Sequence, residues 1–148
     1  MKILEAKNLA IQLMQEHGLI QKGWKFQFNE RKVSAGLCKF STKTVFLSIP
    51  FIQIRTAEKT KDTILHEIAH ALVGRENGHN HIWQAKAKEI GCNGERCFND
   101  AVVEGKYKAV CPNGHIHYLH RKPKLRRSCG KCCKAFNPEF ILEFKKIK

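Results

Sequence analysis

Apolar residues recur every three or four positions over the first segment of the chain, Ile3 to Glu16. The apolar positions are Ile3, Ala6, Ala10, Leu13 and Met14. This spacing places them on one face of a helix, and Gly18, just beyond the segment, is a typical helix terminator. The pattern therefore predicts an amphipathic helix that packs against the rest of the fold.

The next segment alternates apolar and polar residues, which is typical of a half-buried strand. The first predicted strand has its apolar positions at Trp24, Phe26 and Phe28. Two further strands are predicted over 32–40 and 43–49, and Cys38 in the second of the three is interpreted as a small core residue. Because no helical pattern separates the three strands, they predict a small antiparallel sheet.

A helical pattern returns over 62–73, where Thr56 can cap the start of the helix and Gly74 can end it. A second helix is predicted from about residue 80 to residue 90, followed by Gly91. The apolar stripe of the first of these helices consists of Ile64, Ile68 and Leu72. Helices and strands occupy different parts of the chain, so the fold class is predicted as α+β.

The helix over 62–73 contains the sequence His66-Glu67-Ile-Ala-His70. Residues four apart lie about 40° apart around a helix, because each residue turns it by about 100°. Both imidazoles can therefore bind one metal ion, and Glu67 lies beside that ion, where its carboxylate can accept a proton. The alternative is a buried helix with two incidental histidines, but the helical context and the further histidines downstream favour a zinc site.

A catalytic zinc has three protein ligands and one open position, so a third ligand is expected after this helix. His79 and His81 are both suitable. Glu89, on the predicted second helix, is a further candidate of lower rank. The spacing of the residues leaves this choice open.

The C-terminal third contains a second set of metal-ligand residues. Cys129-Gly-Lys-Cys132 is a C-x-x-C turn that is typical of half a zinc site. The other half is predicted from Cys111 and His115, since Gly114 stands where many zinc ribbons have a second cysteine. His117 is the alternative to His115, and a metal-free tail with buried thiols is the alternative to the site as a whole.

The same C-terminal third is strongly basic. Residues 103–148 contain twelve Lys and Arg against three Glu, which is +9 of a formal net charge of +14. A basic surface of this kind favours a polyanionic partner, and we expect nucleic acid, with DNA as the candidate. It is also compatible with a well-solvated surface. The candidate phosphate contacts are Arg121, Lys122, Lys124, Arg126 and Arg127, between the two halves of the second metal site.

Composition limits the cellular setting. No apolar run approaches the roughly 18 residues of a membrane-spanning helix, and residues 1–8 are interrupted by charges, unlike a signal peptide. Seven cysteines, an odd number, fit metal ligation and buried thiols better than a disulfide framework. We therefore expect a cytoplasmic protein without a membrane partner, located at the nucleoid or in the nucleus if it associates with DNA.

The motifs together resemble those of the SprT-like metalloproteases, the group that includes Spartan. The resemblance rests on His66-Glu-x-x-His70 followed by Gly78-His79-x-x-x-Trp83. It extends upstream to the region of Gly36 and Cys38 and downstream into the zinc-ribbon-like tail. In this family the third zinc ligand is a histidine four residues before an aromatic residue, so the resemblance implies His79.

The resemblance further implies a zincin-like protease domain over residues 1–102, followed by a basic zinc ribbon over residues 103–148. It implies one catalytic zinc on His66, His70 and His79. A structural zinc is expected on Cys111, His115, Cys129 and Cys132. The implied activity is peptide-bond cleavage with Glu67 as the base, and proteins bound or crosslinked to DNA are the candidate substrates.

Two other classes of function remain open. One is a DNA-binding zinc protein whose His-Glu-x-x-His site is catalytically idle, but a site without catalysis has no need of Glu67 as a base. The other is a hydrolase that acts on bonds other than peptide bonds.

Overall fold

The computed structural model describes residues 1–97 and 101–148. The chain divides into two compact units, Met1–Val103 and Glu104–Lys148. Within the described residues, no helix is both long enough and apolar enough to cross a membrane. Both units combine short sheets with helices or helical turns, and the predicted α+β class is confirmed.

Among its described residues, the first unit has four α-helices: α1 (Ile3–Glu16), α2 (Ile49–Ile54), α3 (Ala57–Val73) and α4 (His81–Glu89). The predicted first helix is confirmed over its full length, and it buries Ala6, Ala10, Leu13 and Met14. The short α2 was not predicted. It begins because the hydroxyl oxygen of Ser48 accepts a hydrogen bond from the Phe51 N–H and Pro50 occupies the first turn, where its missing N–H is not needed.

Capping side chains set the positions of α3 and α4. The hydroxyl oxygen of Thr56 accepts a hydrogen bond from the Lys59 N–H at the start of α3, as predicted. Gly74 follows the helix with a φ of +99°, a conformation that other residues rarely adopt. At the start of α4, the side-chain oxygen of Asn80 accepts hydrogen bonds from the N–H groups of Ile82 and Trp83. These caps fix the ends of the two helices that border the candidate site.

The sheet of the first unit has three strands, β1 (Lys25–Asn29), β2 (Gly36–Lys39) and β3 (Thr44–Ser48), in the order β1-β3-β2. Strands β2 and β3 are antiparallel, but β1 is parallel to β3, so the prediction of an antiparallel sheet is wrong for this pair. A short turn joins β2 to β3 and requires opposite directions, whereas β1 is hydrogen-bonded to the start of β3 through the Lys25 N–H and the Lys43 carbonyl, 2.8 Å apart.

The core of the first unit lies between α1, α3 and the sheet. Its completely buried members include Met14 of α1, Val45 of β3, Ile64 and Ile68 of α3, and Trp83 of α4. Since α3 is packed on several sides, its position is fixed by a large apolar core, and the side chains that it projects at the candidate site are held rigidly.

The second unit is built from five short strands: β4 (Tyr107–Val110), β5 (Ile116–Leu119), β6 (Arg127–Ser128), β7 (Ile141–Leu142) and β8 (Lys145–Lys146). They form an antiparallel sheet in the order β5-β4-β8 and a separate antiparallel pair, β6 and β7. The buried residues of its small core are Ala109, Cys111, Cys129 and Leu142. Two of these four are cysteines, so little apolar surface holds this unit together.

Candidate metal centres

The first unit brings three histidine side chains to one point. His66 and His70 lie one turn apart on α3, and His79 lies two residues before α4. The Nε2 atom of His79 is 3.0 Å from the Nε2 atom of His66 and 3.0 Å from that of His70. Within the described residues, these three form one of two clusters whose ligand atoms all lie within 4.8 Å of one another.

The chemistry of this triad fits a zinc ion. Ring nitrogens bound tetrahedrally at 2.0–2.1 Å from zinc lie about 3.3 Å from one another, close to the observed separations. Burial, and then the neighbouring His79, lowers the pKa of His66 to about 4. Burial, and then His66 and His79, lowers the pKa of His70 to about 4. The histidines are therefore neutral near pH 7, as metal binding requires.

Trp83 forms a common support for the three imidazoles. Its ring centroid lies 4.6 Å from that of His66, 5.2 Å from that of His70 and 4.7 Å from that of His79. The indole N–H donates to the backbone carbonyl of His66 at 3.3 Å. Because Trp83 is 1% exposed, the histidines rest on an immobile apolar surface.

Glu67 follows His66 on α3 and lies in a nearly closed environment. Its side chain is 7% exposed, and burial raises the pKa of its carboxyl to about 8. Strand β2 passes over it at Gly36. A Cβ atom added at Gly36 would lie 3.0 Å from Cγ of Glu67, 3.1 Å from its Oε1 and 2.9 Å from the Thr63 methyl group. The strand can approach Glu67 this closely because residue 36 has no side chain.

The other candidates for a third ligand lie outside the triad. His81 is exposed at the first position of α4. Glu89, at the end of the same helix, pairs with Lys86 at 2.7 Å. Of the three alternatives that the sequence left open, the structure places His79 with His66 and His70.

The second cluster consists of Cys111, His115, Cys129 and Cys132. The Nδ1 atom of His115 lies 3.3 Å from the sulfurs of Cys111 and Cys132 and 3.5 Å from that of Cys129. The Cys111 and Cys132 sulfurs are 3.7 Å apart. Sulfurs at 2.3 Å from a tetrahedral zinc are about 3.8 Å apart, so the cluster has the dimensions of a closed four-ligand site.

Further groups surround this second cluster. Gly114 adopts a φ of +88°, which lets the chain turn so that His115 faces the cysteines. The Nε2 atom of His117 lies 3.2 Å from the Cys129 sulfur, and the side-chain N–H of Asn113 donates to the Cys132 sulfur at 3.2 Å. His117 therefore contacts a ligand from outside the cluster. Such outer contacts orient metal ligands and tune their affinity.

The remaining cysteines lie outside both clusters: Cys38, Cys92, Cys97 and Cys133. Burial, and then the nearby Glu67, raises the pKa of the Cys38 thiol to about 12. Burial likewise raises the pKa of Cys92 to about 11. Both are therefore neutral thiols, in agreement with the core role predicted for Cys38.

The basic segment of the second unit is open to solvent. The exposed side chains are Arg121, Lys122, Lys124, Arg126 and Arg127. Within the part of the chain that the structure describes, these side chains have neither hydrogen-bond nor ion-pair partners. Their charges are therefore available to a polyanion.

The sequence indicates a turn at Asn93-Gly94 but not its contact with α3. Asp62 of α3 accepts a hydrogen bond from the backbone N–H of Asn93 at 2.8 Å, although 31 residues separate them. The only local signal was the turn-forming pair Asn93-Gly94. Its partner on α3 could not be identified from sequence, because nothing in either segment encodes the contact.

The fold and the triad together indicate a class of protein. A rigid helix carrying His-Glu-x-x-His, a third histidine before the next helix and a buried glutamate are the arrangement of metal-dependent hydrolases. Comparison with protein families then gives a specific result, a match to the SprT-like family over residues 6–108. The chain belongs to this family. The match includes the triad and Glu67 but ends before Cys111, and no curated protein matches the chain.

Proposed function

We propose that this protein is a zinc-dependent metallopeptidase that cleaves proteins bound or crosslinked to DNA. The observation that carries the proposal is the convergence of His66, His70 and His79 beside the buried Glu67. Three ligands suit a catalytic zinc, which keeps a fourth position open. The second cluster, with four ligands, suits a structural zinc.

The residues of the triad would hold the zinc, and Glu67 would move the proton. When bound, zinc supplies a Lewis acid that polarises a carbonyl and lowers the pKa of water. Burial raises the pKa of Glu67 to about 8 without the metal, whereas the positive charge of a bound zinc would favour the carboxylate, the form that can accept a proton and return it. Glu67 thus serves first as the base and then as the acid that protonates the leaving amine.

Strand β2 offers a place for an extended peptide. The Ser48 N–H donates to the Ala35 carbonyl at 2.9 Å. Because hydrogen-bonded pairs alternate along an antiparallel ladder, Gly36 and Cys38 direct their backbone N–H and C=O groups away from β3. Within the described residues, no strand pairs with this edge. A peptide added there would pass beside Glu67 and would be held by its main chain, largely independently of its sequence.

The second unit supports a DNA-associated substrate. Its net charge of +9 includes the five exposed and unpartnered cations around Leu125. Phosphate contacts from such cations bind DNA without sequence specificity. A protease of this kind would select substrates by their location on DNA, while its active site accepts many sequences.

The test is cleavage of a basic DNA-binding protein by the purified chain. We expect zinc-dependent fragments that increase when DNA is present, that disappear with chelator and that return when zinc is added back. If DNA does not change the rate of cleavage, the DNA-directed part of the proposal is wrong, and the protein is a peptidase without that preference. DNA binding without cleavage by a fully zinc-loaded chain would instead favour the DNA-binding protein with an idle site.

A further inference from the structure

The chain turns back against α3 immediately after α4. The Cys92 N–H donates to the Ala87 carbonyl at 2.8 Å, and the Asn93 N–H donates to the Asp62 carboxylate at 2.8 Å. The side-chain oxygen of Asn93 then accepts from the Glu95 N–H, also at 2.8 Å. Asn93 therefore connects α3 to Glu95, with its backbone on one side and its side chain on the other.

Two further features hold this turn in place. The side-chain N–H of Gln84 donates to the Gly94 carbonyl at 3.2 Å. Gly94 itself has a φ of +76°, and a Cβ atom there would lie 2.9 Å from Cε of Lys88. Position 94 therefore favours glycine for its conformation, and the turn is held both to α3, which carries His66 and His70, and to α4.

The turn ends next to a metal-ligating histidine. Asp62 lies four residues before His66, on the same face of α3. Burial lowers the pKa of His66, and the backbone of Glu95, as a hydrogen-bond partner of the imidazole, opposes that shift. The Nε2 atom of His66 faces the other two histidines. Histidines that bind metals generally donate their second ring N–H to an oxygen acceptor, which fixes the tautomer and the ring orientation.

We propose that Asp62 and Asn93 are positioning residues for His66, because they hold the turn Cys92–Glu95 with the Glu95 carbonyl against its imidazole. The hydrogen bond to Glu95 leaves the Nε2 lone pair of His66 free for a metal ion. This proposal rests on the proposed function insofar as the triad binds metal. It adds two residues that are not among the metal ligands and are not next to any of them in sequence.

The test is titration of the full chain with Co²⁺, whose absorption distinguishes the two clusters. Thiolate-to-cobalt charge transfer in the near ultraviolet reports the cysteine cluster, which serves as an internal reference. Total bound Co²⁺ less the amount bound by the cysteine cluster gives the amount bound by the triad. We expect Asn93→Ala to weaken Co²⁺ binding at the triad by about tenfold, the lower end of the effect of outer-shell partners. Binding at the cysteine cluster should not change.

Matched variants separate positioning from general damage. Asn93→Asp keeps the side-chain acceptor and should retain the parent affinity. Glu95→Ala should also retain it, since only the backbone of Glu95 is used. Asp62→Ala changes a helix position to a good helix former, so it should fold normally and still weaken the triad about tenfold.

The results distinguish this proposal from the proposed function. If the parent triad binds no Co²⁺, both fail. If the parent binds but Asn93→Ala and Asp62→Ala bind equally well, only the positioning role is overturned. A loss of affinity in Glu95→Ala equal to that in Asn93→Ala would also overturn it, because the side chain of residue 95 would then be involved.

Discussion

The two metal-ligand clusters differ in what surrounds them. Two members of the histidine triad lie on α3, in a unit with sixteen buried core residues among those described, and the buried Glu67 follows His66 on the same helix. The cysteine cluster is built on turns between short strands, in a unit with four buried core residues. A triad with an open position suits catalysis, whereas four ligands close a site around a structural ion. The same kind of metal ion would thus take part in catalysis in the first unit and stabilise the fold of the second unit.

Metal removal should produce the largest difference between the two units. We expect two zinc ions per chain, and chelation should unfold residues 104–148 while the first unit stays folded. Structural zinc contributes about 10 kcal/mol to folding in small domains, more than a core of this size can replace. Two-dimensional NMR spectra with and without chelator would show which signals collapse.

Single substitutions provide the control for that experiment. Cys129→Ala should unfold the second unit without chelator, whereas Cys133→Ala, outside the cluster, should not. Well-dispersed signals from a metal-free second unit would show that its fold does not depend on zinc, and the contrast between the units would be lost.

Loss of a triad ligand is the next largest effect. His79→Ala should weaken metal binding at the triad by more than about 100-fold, since even outer-shell partners cost 10- to 100-fold. His81→Ala, two residues away and exposed, should leave it unchanged. Metal titration of both variants measures the difference. The opposite order would move the third ligand to His81.

Gly36→Ala should disturb Glu67 without touching any metal ligand. The added methyl group would lie 2.9 Å from the methyl group of Thr63 and 3.0 Å from Cγ of Glu67. Thr63 cannot easily yield, because its hydroxyl accepts from Arg55 at 2.5 Å and donates to the Lys59 carbonyl at 3.2 Å. Overpacking of this kind costs about 1–3 kcal/mol, so we expect slower cleavage and a lower melting temperature.

A second substitution tests the cause. Thr63→Ser removes the obstructing methyl group and should restore part of the activity of Gly36→Ala. Gly130→Ala is the control, because nothing lies within 4 Å of the added Cβ atom. Full activity in Gly36→Ala would show that the close approach of β2 does not matter for Glu67.

Substitutions in the basic segment should have the smallest effect per residue, and the effect is on DNA affinity. Replacing Arg126 and Arg127 by Ala should reduce the slope of log affinity for DNA against log salt by about 1.4–1.8, because each phosphate contact contributes about 0.7–0.9. Lys2→Ala with Lys7→Ala removes the same charge from the first unit and should leave the slope nearly unchanged. Equal effects of the two pairs would indicate only a general influence of net charge.

The sequence predicted what depends on local chemistry. The helix Ile3–Glu16 follows from apolar spacing, and α3 follows from its Thr56 cap and its terminal Gly74. The pair His66 and His70 follows from helix geometry. The four residues of the second cluster were identified from the spacing of the cysteines and from the glycine at position 114.

The sequence did not predict what depends on contacts between distant segments. Alternation reveals that Lys25–Asn29 is a strand but not its direction, so the parallel pairing with β3 was missed. The hydrogen bond from Asn93 to Asp62 joins residues 31 apart in the chain, and no local sequence pattern indicates it. The support of three imidazoles by Trp83 likewise depends on the packing of α4 against α3.

The central claim is that Glu67 transfers protons in metal-dependent peptide cleavage, and Glu67→Gln tests it most directly. Glutamine keeps the shape of the side chain but cannot act as a base. Cleavage rate and zinc content should be measured on the same preparations of the parent and the variant. The account predicts a rate lower by about 10²- to 10⁴-fold, with unchanged zinc content. A Glu67→Gln variant that holds its zinc and cleaves as fast as the parent would contradict it.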